Sequence, residues 1–176
     1  MEGFLNPTEI LKQLELNKEM TAADFGSGSG GWAIPLAKIL KDGKVYAIDI
    51  LEEPLSALRN KAGIEKINNI EVIRADIEGK NDLIIKANTL DLVLITSLLF
   101  EVSDKKKVIT EAKRVIKNTG KILIIDWLKE APIGPKAEKI SPEEIKKIAE
   151  ELGFKIEKEF KAGDYHFGLL LKKFNS

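Results

Sequence analysis

The chain has 176 residues, 44% of them hydrophobic and 32% charged, the composition of a globular domain with a buried core. Its 28 basic and 28 acidic residues cancel, so no strong basic field marks a nucleic-acid surface, and the absence of cysteine excludes disulfides, thiolate metal sites and cysteine nucleophiles. No apolar run is long enough to cross a bilayer, and the N-terminus lacks the basic and apolar regions of a signal peptide, so a cytoplasmic protein without membrane insertion is expected.

Along the chain, strand and helix patterns alternate. Asn6-Pro7-Thr8-Glu9 reads as a cap and a proline at the first helical position, followed by an apolar face of Ile10, Leu11 and Leu14. Residues 1–19 form this N-terminal helix and lid segment of one domain spanning 1–176. Thr21 to Phe25 is a short strand running into glycines, and Gly31 to Leu40 is a helix with Pro35 in its first turn. Lys44 to Asp49 is a strand, Glu52 to Lys61 a helix and Ile70 to Arg74 a strand. Leu90 to Ile95 is apolar on both faces, as a buried parallel strand is. Asp104 to Ile116 is a helix and Gly120 to Asp126 another apolar strand. Ser141-Pro142-Glu143-Glu144 opens a last helix ending near Gly153. Phe154 to Phe160 and His166 to Lys173 are strands with no helix between them, so they pair as an antiparallel hairpin. The sum is an α/β, doubly wound, Rossmann-like sheet that ends in a reversed strand.

The chemistry concentrates after the first strand. Gly26, Gly28, Gly30 and Gly31 let the backbone turn tightly and approach a ligand closely. Gly26, Gly28 and Gly31 satisfy the dinucleotide-binding spacing, and Asp49 ends the second strand where an acid would hold ribose hydroxyls. These residues fit NAD and S-adenosyl-L-methionine (SAM) alike. Asp24 favours SAM, because an acid before the glycines receives the cationic amino end of a methionine moiety and would repel a pyrophosphate. Asp76, after the third strand, is placed to accept a hydrogen bond from the adenine amino group, and the reversed hairpin points the same way.

With these residues the chain resembles the class I SAM-dependent methyltransferases, within the broad group related to the ubiquinone and menaquinone biosynthesis methyltransferases. The resemblance runs through Gly3 to Pro7, Ala23 to Gly30, Gly43 to Asp49, Leu90 to Leu94, Arg114 to Gly120, Ile125 to Trp127, Ser141 to Phe154 and Asp164 to Gly168. It implies a seven-stranded, mostly parallel sheet of order 3-2-1-4-5-7-6 with strand 7 antiparallel, and SAM as cofactor. It also implies that Gly26, Ser27 and Gly28 contact the methionine part, that Asp49 binds the ribose with Ile50 beside the adenine, that Asp76 and Ile77 meet the adenine edge, and that Thr96, Ser97 and Leu98 run past the sulfonium. Many relatives carry cysteine or alanine at Ser27 and histidine near Phe100, features absent here.

Methyl transfer from a sulfonium is an in-line displacement that alignment and water exclusion can carry, so a dedicated catalytic residue is optional. His166, Tyr165 and Asp126 are the candidates for a base or for the acceptor pocket, with Trp127 beside them. The plainer readings are a hairpin histidine packed between Tyr165 and Phe167, and structural caps at the strand end. Asp91 is expected to be structural, and Lys105 to Lys107 a solvated helix face. Phe4 and Leu5 either cover the cofactor or pack on the sheet. Only Leu128 to Ile140 is available as a cap, so the acceptor pocket is expected to be shallow or completed by a partner subunit, as in a homodimer. The competing functions are an NAD-dependent oxidoreductase and a SAM-binding protein without transferase activity. No metal site is expected, and the acceptor is left open.

Overall fold

A computed structural model of the chain describes residues 5–79 and 84–174. The first element is a short helix, α1 (Pro7–Leu11), whose Asn6 cap accepts the Glu9 N–H at 3.3 Å and whose Pro7 sits where no donor is needed. α1 is shorter than its apolar spacing predicts. It ends at Leu11, and Leu14 joins the same core after a tighter turn in which its N–H bonds to the Leu11 carbonyl at 3.1 Å.

The chain then runs through β1 (Thr21–Phe25), α2 (Ala33–Ile39), β2 (Lys44–Asp49), α3 (Glu52–Ile64) and β3 (Ile70–Arg74). It crosses back to β4 (Leu90–Thr96), α4 (Lys105–Val115), β5 (Ile116–Trp127) and α5 (Pro142–Glu151), and finishes with β6 (Phe154–Ala162) and β7 (His166–Lys173). α3 continues past Lys61 to Ile64 because Ala62 is still core-facing. α5 starts with a reciprocal cap: Ser141 Oγ accepts the Glu144 N–H, and the Glu144 carboxylate accepts the Ser141 N–H at 2.8 Å.

All seven strands form one sheet in the order β3-β2-β1-β4-β5-β7-β6. β1 pairs in parallel with β2 and β4, β2 with β3 and β4 with β5, whereas β7 is antiparallel to both β5 and β6. The hairpin between β6 and β7 turns through residues 163–165, with Gly163 at φ 66°.

β5 begins at Ile116 instead of Gly120, because Leu90 faces Ile116 while Leu92 faces Lys121, so residues 117–120 bulge from the ladder. A Cβ on Gly120 would stand 2.9 Å from the Leu90 carbonyl oxygen, and glycine permits that approach.

The sheet is covered on both faces. Val93, Ile95, Ile122, Ile124 and Phe167 pack against Val108, Ile109 and Ala112 of α4 and Ile145 and Ala149 of α5. On the other face, Val45, Leu92, Leu94, Leu123 and Ile125 meet Leu36 and Ala37 of α2, Leu58 of α3 and Leu11 of α1. Full burial of each large apolar side chain stabilises the fold by roughly 1.5–3 kcal/mol. This two-sided cover explains why β4 is an unbroken apolar run.

Candidate functional site

Strand order reverses at β1: the chain adds β2 and β3 on one side of it and β4 and β5 on the other. A crevice opens where such connections diverge, beyond the carboxyl ends of the strands. Here it is a cleft of about 490 Å³. Its walls are Gly26 and Gly28 after β1, Asp49 to Leu51 with Pro54 after β2, Ala75 to Glu78 after β3, and Ser97, Leu98, Glu101 and Val102 after β4.

The glycine loop is held from below. The N–H groups of Gly26 and Ser27 both donate to the Ile48 carbonyl at 2.9 Å, which binds the loop to β2. Gly26 has φ 73°, and a Cβ there would meet Leu98 Cδ1 at 2.9 Å, so the loop and the segment after β4 touch closely. Gly28 differs: at φ 50° a Cβ would meet nothing within 4 Å, because the position faces the open cleft.

The Gly28 N–H donates to Asp49 Oδ2 at 2.9 Å, and the Leu51 N–H donates to Asp49 Oδ1 at 3.0 Å. Two backbone donors thus aim the carboxylate, and each oxygen keeps capacity for a further donor. On the neighbouring strand end, Asp76 Oδ1 accepts the Glu78 N–H at 2.8 Å, which sets the turn carrying Ile77. Ile50 and Leu51 are large apolar side chains left 54% and 60% exposed on the wall, a surface suited to a flat ring.

Asp24 lies at the end of β1 with 1% exposure, and among the described residues neither carboxylate oxygen has a hydrogen-bond partner. Burial pushes its carboxyl up to about 8. The nearby Ala33 N–H pulls the other way without closing a hydrogen bond, and the negative Asp49 adds to the rise. Ser27 Oγ is also buried without a partner.

Of the residues expected to bind cofactor, the structure gathers Gly26, Gly28, Asp49, Ile50, Asp76, Ile77, Ser97 and Leu98 on the cleft wall. Asp24, Ser27 and Thr96 are buried beside it rather than on its lining. Gly30 faces away: a Cβ there would lie 2.9 Å from Leu58 Cγ and 3.1 Å from Ile34 Cγ1, so this glycine, at φ 90°, serves the packing of α3 on the loop. Leu51, Pro54, Ala75, Glu78, Glu101 and Val102 were not foreseen. The exposed Ile50-Leu51 pair directly after Asp49 was the one available signal.

The acceptor-side candidates are placed differently. Asp126 is fully buried, and its oxygens accept the Leu99 N–H at 3.0 Å and the Trp127 N–H at 2.8 Å. Burial raises its carboxyl to about 6, opposed by those N–H groups and by Lys105, with the charge of Glu101 adding to the rise. The group ties the end of β5 to the segment after β4. His166 is 6% exposed, its Nδ1 has no partner among the described residues, and burial lowers its basicity. Its ring centroid lies 4.1 Å from that of Trp127, and a Cβ on Gly134 would strike the same indole. Tyr165 is half-buried, and its carbonyl accepts the Leu128 N–H at 2.9 Å. None of the three lines the cleft. Leu5 packs on the core, whereas Phe4 lies outside the described residues. At the opposite end of the sheet, Asp91 accepts the Thr21 N–H at 2.9 Å and the Lys117 ammonium at 2.7 Å, a structural role.

The model of the methyltransferase domain family matches residues 16–163. The chain belongs to this family. It is 32% identical to a SAM-dependent methyltransferase from Aquifex aeolicus whose crystal structure superposes with a TM-score of 0.85, over 95% of this chain and 89% of that one. It is 29% identical over 127 residues to the demethylmenaquinone methyltransferase of Bacillus mycoides (strain KBAB4), covering 72% of this chain and 52% of the relative. It is also 30% identical over 116 residues to the ubiquinone/menaquinone biosynthesis C-methyltransferase UbiE of Escherichia coli O1:K1 / APEC, covering 65% of this chain and 45% of the relative. The chain therefore spans about half the length of these curated relatives. Family membership decides between the two ligands that the glycines and Asp49 fit equally: the cofactor is SAM, and the NAD reading falls. Cleft and cofactor are compatible in this chain, because space lies open at Gly28 and the buried carboxylate of Asp24, at the end of the strand leading into that loop, has no partner among the described residues.

Proposed function

We propose that this chain transfers the methyl group of SAM to an acceptor reaching the open side of the cleft. The observation that carries the reading is the Asp49 carboxylate, fixed by the Gly28 and Leu51 N–H groups opposite a glycine that leaves room for a ligand. In this reading Asp49 holds the ribose hydroxyls, Ile50 and Leu51 flank the adenine, and Asp76 and Ile77 meet its edge. Gly26, Ser27 and Gly28 follow the methionine part, and Asp24 takes its ammonium. Ser97 and Leu98 border the reacting end. When bound, the cofactor supplies a methyl group on a cationic sulfur, open to displacement in line with the C–S bond. The protein contributes alignment and partial exclusion of water through the Leu98 contact on Gly26.

Among the described residues no helix is long and apolar enough to cross a membrane. A cytoplasmic location, and a homodimer that completes the acceptor side, belong to the same proposal. Light scattering in solution measures the latter, and a strictly monomeric protein would remove it.

Titration calorimetry and thermal melts with S-adenosylhomocysteine and, separately, NAD test the function. At a ligand concentration a hundredfold above Kd, stability should rise by about 2.7 kcal/mol with the homocysteine ligand and not with NAD. Asp49→Ala should weaken that binding by roughly 10–100-fold, the scale of lost charge-assisted hydrogen bonds. Binding of NAD alone, or unchanged affinity in Asp49→Ala, would sink the reading.

A further inference from the structure

Among the described residues four carboxylates line the cleft, those of Asp49, Asp76, Glu78 and Glu101, and no lysine, arginine or histidine does. Three of them already hold backbone. Asp49 accepts from Gly28 and Leu51, Asp76 accepts from Glu78, and Glu78 Oε1 accepts the Asp104 N–H at 2.7 Å just before α4. The Glu101 carboxylate makes no hydrogen bond or ion pair among the described residues.

The backbone that carries Glu101 is nevertheless well fixed. Ser97 takes φ 49° and donates its N–H to the Ile125 carbonyl at 2.8 Å. Asp126 then holds the Leu99 N–H, and the Glu101 N–H turns back onto the Leu98 carbonyl at 2.9 Å. Leu98 rests against Gly26. An uncommitted negative charge is thus presented from a tight turn, beside the residue that touches the glycine loop.

We propose that Glu101 distinguishes the charged methyl donor from its uncharged product, favouring SAM on entry and release of the thioether after transfer. The inference rests on the methyltransferase reading above. In the transfer the C–S bond breaks, its electron pair stays on sulfur, the methyl carbon bonds to the acceptor atom, and the fixed positive charge on sulfur disappears. Leu98, onto which Glu101 turns back, borders the reacting end in that reading, so the carboxylate stabilises the donor complex and loses its attraction once the methyl has gone. The nearest cations stand behind the wall: Lys105 acts on Asp126 from the same side as Glu101, and the Arg74 guanidinium is taken up by the Ile50 carbonyl at 3.1 Å.

The test is calorimetric Kd values for SAM and for S-adenosylhomocysteine, measured on the wild-type chain, Glu101→Gln, Glu101→Lys and the control Glu150→Gln on α5, off the cleft. The ratio of SAM to homocysteine-ligand affinity should fall about fivefold in Glu101→Gln, the scale of one charge pair at a water-exposed wall. It should fall further in Glu101→Lys, while homocysteine-ligand affinity stays within about twofold in both. Raising ionic strength from about 0.01 M to about 1 M should shrink the wild-type ratio likewise. An unchanged ratio in Glu101→Gln overturns the inference. So does an equal loss for both ligands, which would mean that Glu101 only shapes the turn, or the same change in Glu150→Gln, which would mean net charge alone. Failure of the wild-type chain to bind S-adenosylhomocysteine would instead overturn the methyltransferase reading, and the inference with it.

Discussion

Replacing Asp24 by asparagine should make the ligand-free protein more stable and its cofactor binding weaker. The carboxyl has an ordinary value of 3.8 and is pushed to about 8 in the fold. In the unfolded chain it ionises freely; in the native chain at neutral pH it must stay protonated. Each unit between the two values is worth about 1.4 kcal/mol, so at pH 7 the native state is disfavoured by about 4 kcal/mol through this group. The sign follows from the direction of the shift. The penalty is absent below the unfolded value, grows as pH rises from 3.8, and levels off above about 8. Asparagine removes it but leaves a buried amide without partners, a cost of about 1–3 kcal/mol. A net gain of about 2 kcal/mol is expected at pH 7, which raises the Tm by about 4–8 °C in a chain of this size. Denaturant melts without cofactor should show the gap between variant and wild type widening by about 3–4 kcal/mol from pH 5 to pH 8. With Asp24 as the proposed partner of the ammonium, SAM affinity of the wild type should rise by up to about tenfold per unit as pH approaches 8, as the carboxylate ionises. A variant no more stable than wild type, or a gap that does not change with pH, would refute the account of this residue.

Three further outcomes follow from the geometry. Gly28→Val should fold with little more than the strain of a left-handed backbone, about 1–2 kcal/mol, because among the described residues nothing lies within 4 Å of a Cβ there; calorimetry should find S-adenosylhomocysteine binding lost. Gly43→Ala should be far more damaging, since its Cβ would be driven onto the Met20 carbonyl oxygen; denaturant melts should register a loss of about 3 kcal/mol or more. His166 is the sole histidine and gives one imidazole signal in a proton NMR titration. Its midpoint should lie below 6.5 and its protonation should destabilise the fold as pH falls, whereas a midpoint above 6.5 would mean an anionic partner holds the ring.

Much of this fold is written locally. The two-faced apolar run of β4, the cap of α5 and the helix-free tail of β6 and β7 each announce their place through spacing and turn chemistry. The order of the strands came through family likeness, because nothing local says that β7 inserts between β5 and β6. The early end of α1 and the bulge before Gly120 escaped because tertiary contacts set them, Leu14 on the core and the Leu90 carbonyl on Gly120. Within the site, residues directly following strands were legible: Gly26, Gly28, Asp49 and Asp76 all occupy ends that strand order exposes. Gly30 shares their motif yet faces Leu58, since spacing counts glycines without saying which side of the loop each one opens. Glu101 stood outside any motif, and only the turn back onto Leu98 brings it to the cleft.

The placement of β7 has a consequence for the order of assembly. β6 is made first but has no partner except β7, and until β7 arrives the hydrogen-bonding edge of β5 from Ile122 to Ile125 lies open. A chain emerging from the ribosome therefore carries an unpaired apolar ladder until residues 166–173 are free to insert, and a nascent chain stalled before them would present that ladder to its neighbours.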